Sequence, residues 1–132
     1  MTKVGAPIFV WRGDTLSYQN AVYMGDISAR TKLWFAVKAD HVDADAAAQI
    51  FVEETAGLLY LGGAAAAVPG NGSIAVLDAA LGLISVSVAA SEMAKLARGA
   101  WYYEVQVLSP AGVTTSLRGR FTLVADVTRA TA

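Results

Sequence analysis

Few residues in this chain have the type and spacing for chemistry. Asp40-His41-Val42-Asp43-Ala44-Asp45 gathers the single histidine with three carboxylates. Such a set could ligate a metal through the imidazole, or calcium through Asp43 and Asp45. The spacing lacks the glycine and the terminal glutamate of an EF-hand loop, so a solvated loop with helix-capping aspartates is the better reading. A general base at His41 would need a pocket and a partner that the sequence does not supply. Glu53 and Glu54 are adjacent, and on a strand adjacent side chains face opposite sides. They therefore do not form a carboxylate pair of the glycosidase kind. Arg12-Gly13-Asp14 spells an adhesion-type tripeptide but reads as a turn. Gly70-Asn71-Gly72 is a hairpin-turn signal rather than a phosphate cradle, because no Walker or dinucleotide fingerprint accompanies it. No nucleophile-elbow pattern occurs.

Composition narrows the classes further. The chain has 132 residues, no cysteine, one histidine, 55% apolar residues and a formal charge of -1. This length suits a single domain able to bury a core without disulfide staples. Lack of cysteine removes thiolate nucleophiles and Cys-ligated zinc. Near-neutral charge argues against nucleic acid and against anionic membrane as partners. The longest uncharged stretch, 55–77, is broken by Gly57, Gly62, Gly63, Pro69, Gly70 and Gly72. It reads as strand and loop, not as a membrane span. The N-terminus lacks the apolar centre of a secretory signal. The expectation is a non-enzymatic domain with no cofactor.

The elements that must position any site have the strand period of two. Leu83–Val88 sets Ile84, Val86 and Val88 on one face and Leu83, Ser85 and Ser87 on the other. Trp101–Leu108 groups Trp101, Tyr103, Val105 and Val107 against Tyr102, Glu104 and Gln106. Thr31–Lys38 alternates Leu33, Phe35 and Val37 with Lys32, Trp34, Ala36 and Lys38. Ser109-Pro110-Ala111-Gly112 is a turn, followed by a strand region 113–124. Gly119 within it implies a bulge or a close backbone approach. Weaker strands are expected at 16–23, 49–54 and 73–77. The 26 alanines favour helix by propensity but form no stripe of period 3.6. Ser91 before Glu92, with Gly99 as a stop, predicts one short connecting helix over about 91–98, and Ala44–Ala48 could form another turn. The sum is an all-β, antiparallel β-sandwich in one domain spanning 1–132, with 1–6 and 126–132 as tails.

A resemblance adds to this. The run Ile84–Leu108, with its short capped helix and Gly99-Ala-Trp-Tyr-Tyr-Glu-Val-Gln106, resembles a family of small tailed-phage virion proteins. So does the closing Leu117-Arg-Gly-Arg-Phe-Thr-Leu-Val-Ala-Asp-Val-Thr-Arg129, and Gly13-Asp14-Thr15 resembles that family's approach to its first strand. Asp40–Asn71 has no clear counterpart in the pattern. The resemblance implies an immunoglobulin-like module of the kind found at the N-terminus of phage baseplate upper proteins. It implies a virion structural protein, made in the host cytoplasm and mounted in many copies on capsid, neck, tail or baseplate. Its partners would be other virion proteins and copies of itself. The alternative is an adhesion module for host-surface carbohydrate or protein. Trp34, Tyr102, Arg118, Arg120 and Arg129 are the candidate interface residues, since arginine and aromatic side chains are enriched where proteins meet.

Overall fold

A computed structural model describes residues 2–40 and 43–124. Eleven strands form two sheets. The larger contains β1 (Lys3–Val4), β2 (Ile8–Trp11), β4 (Lys32–Lys38), β5 (Ile50–Glu53), β6 (Gly57–Leu61), β7 (Ala64–Ala65), β10 (Gly99–Ser109) and β11 (Gly112–Val124). Its order runs β1/β2-β11-β10-β4-β5-β6-β7, with β1 and β2 both pairing with β11 in parallel and the remaining pairs antiparallel. The smaller sheet is β3 (Leu16–Gln19), β9 (Leu83–Val88) and β8 (Gly72–Asp78), with β9 central.

The expected alternation builds the core. Leu33, Phe35 and Val37 of β4, Tyr103 and Val105 of β10 and Ile84, Val86 and Val88 of β9 are fully buried between the sheets. Each such side chain contributes about 1.5–3 kcal/mol by leaving water. The Ser109–Gly112 turn closes β10 on β11 as expected. Four local readings differ, the first being the strand expected at 16–23, which ends at Gln19. The helix is α1 (Ala90–Met93), shorter than 91–98, and Ala89 stands at its N-cap in place of Ser91. Its register is set by burial of Glu92 and Met93 beneath the sandwich. Gly70-Asn71-Gly72 is not a hairpin turn. Pro69–Asn71 forms a 3-10 turn that carries the chain from the larger sheet to the smaller. Within the expected N-terminal tail, Lys3 and Val4 pair with Leu117 and Arg118. Residues 126–132 and His41 lie outside the described residues.

One interior cluster ties the sheets together. Tyr18 of β3 meets Tyr103 of β10 edge-on at 5.4 Å, and Phe35 of β4 stacks on Tyr103 at 5.9 Å. The Tyr103 hydroxyl donates to the Ala6 carbonyl at 2.7 Å. Its oxygen then accepts from the Tyr18 hydroxyl, 3.3 Å away. Burial pushes both phenols above the ordinary tyrosine range; their mutual hydrogen bond raises Tyr18 further and partly opposes the rise at Tyr103. Gly119, directly opposite Tyr103, makes the room: a Cβ there would lie 2.5 Å from Tyr103 Cε2. The close approach expected at Gly119 is thus explained.

Candidate interaction face

The register brings four of the five sequence candidates onto one surface, the outer face of the larger sheet. Tyr102 stands opposite Arg120, Glu104 opposite Arg118 and Gln106 opposite Trp34. Arg129 lies outside the described residues. The four differ in their surroundings. Trp34 is half-buried, and its indole Nε1 donates to Glu53 Oε2 across the β4–β5 pair at 3.1 Å. Arg118 Nη2 lies 2.9 Å from Glu104 Oε2, with Nε also donating to that oxygen. Arg120 sits over the Tyr102 ring at 5.9 Å from its centroid, a cation–π contact of an exposed kind. It has no carboxylate partner among the described residues.

Residues that the sequence reading did not single out complete the face. Val4 aligns with Arg118, Phe9 with Thr122 and Trp11 with Val124. Val4 is 81% exposed and Phe9 70%, beside Tyr102 at 42%. The signal for them lies in Ile8-Phe9-Val10-Trp11, which is apolar on both faces. Ile8 and Val10 enter the core, so Phe9 and Trp11 must face outward from an edge strand. Between β1 and β2 the edge breaks at Gly5-Ala6-Pro7. There a groove of about 590 Å³ opens, floored by Gly5, Gly119 and Pro7 and flanked by Val4, Tyr102, Arg118 and Arg120.

Two charged groups on this outer face are buried, contrary to the simple alternation. Glu104 is 2% exposed, and its Oε1 has no hydrogen-bond partner among the described residues. Lys38 is buried as well. Its Nζ donates to the Asp43 carbonyl at 3.0 Å and to Asp45 Oδ1 at 2.8 Å. Asp43 and Asp45 of the aspartate cluster are therefore held by a lysine of the outer face. Asp43 Oδ2 also accepts from the Asp40 amide. Asp45 opens a 3-10 turn, Asp45–Ala47, with no side-chain cap. No group of three metal-ligating side chains occurs among the described residues.

The other sequence candidates resolve into local structure. Glu53 and Glu54 diverge: Glu53 takes the Trp34 indole, and Glu54 takes Arg30 through two 2.8 Å bonds. Those bonds hold the Glu54 carboxyl below its usual range, although partial burial opposes the effect. Arg12-Gly13-Asp14 is a turn, with the Asp14 amide bonded to the Trp11 carbonyl and Gly13 at φ +93°.

No family model matches the chain, and no curated protein matches it. Solved structures do. One that matches is the NK cell receptor NKp44, described as a triggering partner in natural cytotoxicity, at 17% identity and a TM-score of 0.51. The match covers 96% of this chain and 99% of that one. The fold is immunoglobulin-like. In that framework β3, β9 and β8 are strands B, E and D, and β11, β10, β4, β5 and β6 are G, F, C, C′ and C″, the variable-type order. Tyr18 and Tyr103 then lie on strands B and F, which in antibody domains carry the inter-sheet disulfide, and Phe35 lies on strand C, which carries the buried tryptophan.

Proposed function

We propose that this chain is a non-enzymatic structural protein of a tailed-phage virion, repeated on the particle and acting through protein–protein contacts. The observation that carries the contact reading is the outer face of the larger sheet. There Val4, Phe9, Trp11 and Tyr102 stand exposed beside Arg118 and Arg120. An exposed apolar row rimmed by arginine has the chemistry of a protein interface. The virion assignment rests on the resemblance of 84–108 and 117–129 to small tailed-phage proteins. Symmetric particles repeat one contact many times, so a modest interface per copy suffices. Adhesion through the loops would call for aromatic side chains at one end of the sandwich. Of the four exposed aromatic residues among those described, Phe9, Trp11 and Tyr102 lie on the sheet face and Tyr23 lies in a loop. The loop between F and G is only the Pro110–Ala111 turn.

The test is the protein composition of purified particles. The chain is expected at a fixed stoichiometry to the major capsid protein. Hundreds of copies would place it on the shell; about six or twelve would place it on the neck, tail or baseplate. Its absence from intact particles would overturn the proposal.

A further inference from the structure

The outer face of the larger sheet is divided by strand β10 into two halves of opposite character. On the β11 side lie Arg118 and Arg120 with the groove between Val4 and Pro7. On the β4 side Lys38 holds the Asp43 carbonyl and the Asp45 carboxylate. Tyr102 sits on the dividing strand, paired with Arg120 on one flank and Lys38 on the other. With strands about 4.8 Å apart, the two halves are separated by only about 10 Å.

We propose that this face pairs with the same face of a second copy, about a two-fold axis passing near Tyr102. Such an axis sets Asp43 and Asp45 of each copy against the basic, apolar groove of the other. Arg120 then meets Asp43 of the opposing copy twice, once on each side of the axis. A second copy is the occupant because the two halves, complementary in charge, lie on one face on either side of one strand. Self-complementarity of this kind is what an isologous contact requires. The chemistry of Arg120 agrees: it sits over the Tyr102 ring and has no carboxylate partner among the described residues, so a carboxylate can approach it without displacing one of them. The proposal rests on reading this face as a contact surface and names its occupant.

A charge swap between two copies tests it. Sedimentation of the wild-type chain at about 100 μM should show a dimer that weakens as salt is raised. Arg120→Glu and Asp43→Arg should each weaken dimerisation at least tenfold, since each places like charges together at both contacts. Mixing the two variants should restore it. The mixed pair has one native Arg120–Asp43 contact and one reversed contact, both attractive. Tyr102→Ser, which removes the side chain nearest the axis without touching the core, should also weaken the dimer. Unchanged melting temperatures for the variants would show that they are folded. A wild-type chain that remains monomeric at about 1 mM, a mixture no tighter than either variant alone, or open-ended assembly would each overturn the pairing. A monomer found nonetheless at fixed stoichiometry on particles would give this face to a different virion protein and leave the virion reading standing.

Discussion

The outer faces of the two sheets differ sharply, although their inner faces are built alike. On the smaller sheet, Ser17, Ser87 and Ser73 form one row across the strands, and Gln19, Ser85 and Ala75 form the next. These side chains are uncharged and, Gln19 apart, short, and the β8 row ends in the exposed Leu77. On the larger sheet the corresponding positions hold Trp34, Lys38, Tyr102, Glu104, Arg118 and Arg120, with Lys38 and Glu104 buried and Tyr102 exposed. Inner faces are constrained by packing and look similar in any sandwich. Burying a charge is unfavourable unless it is paired, and the face that keeps such pairs is the one to which the proposal assigns a contact.

The comparison can be broken from inside first. Tyr103→Ala removes the ring on which Tyr18 and Phe35 rest, together with the hydroxyl that holds Ala6. It should cost about 4 kcal/mol in denaturant unfolding and release the β1–β2 edge to hydrogen exchange. Arg118→Ala is expected to cost about 2 kcal/mol, less than a fully buried pair because the arginine is partly exposed. Glu104→Gln in the same background should recover part of that loss. Unfolding midpoints of the single and double variants check this, and a cost within error for Arg118→Ala would remove the argument from buried charge. Tyr18→Phe deletes one inter-sheet hydrogen bond and should cost about 1 kcal/mol.

Titration sharpens the same contrast at both ends of the pH scale. Because the folded state resists ionisation of Tyr18 and Tyr103, stability should fall as pH rises above about 10, where the unfolded chain loses those protons. Absorbance at alkaline pH should show their ionisation coinciding with unfolding. At the acid end, the depressed Glu54 contributes stability above the ordinary glutamate range, and this is lost as pH falls through its lower folded value. Glu54→Gln should flatten the corresponding part of the acid melting curve. The smallest effect belongs to the plain face. Ser73→Lys should change stability by no more than about 0.5 kcal/mol and leave self-association untouched.

Alternation made much of the fold legible. The runs 83–88, 101–108 and 32–38 place their apolar residues inward as the period of two requires. The period also placed Trp34 and Tyr102, because each follows from the inward set of its own strand. What could not be read depended on distant partners. Lys3–Val4 becomes a strand only because residues 117–118, far along the chain, offer a free edge. Gly70-Asn71-Gly72 has the local chemistry of a hairpin, yet its two flanking strands belong to different sheets. Glu104 and Lys38 occupy positions that alternation assigns to solvent. Their partners come from outside their own strands: Arg118 for Glu104, and the Asp43 carbonyl and Asp45 for Lys38. His41 and Arg129 fall outside the described residues.

The tyrosine pair at the centre has a consequence for how the molecule can be handled. Antibody-type sandwiches are fastened by a bond that must be oxidised into place. Here the fastening is two phenols and a phenylalanine, complete as soon as the strands meet. The chain should therefore melt at the same temperature with or without dithiothreitol and refold from urea without any shuffling step. Two fresh cysteines, one introduced on each sheet, would remain available as clean attachment points for a label or a cross-link.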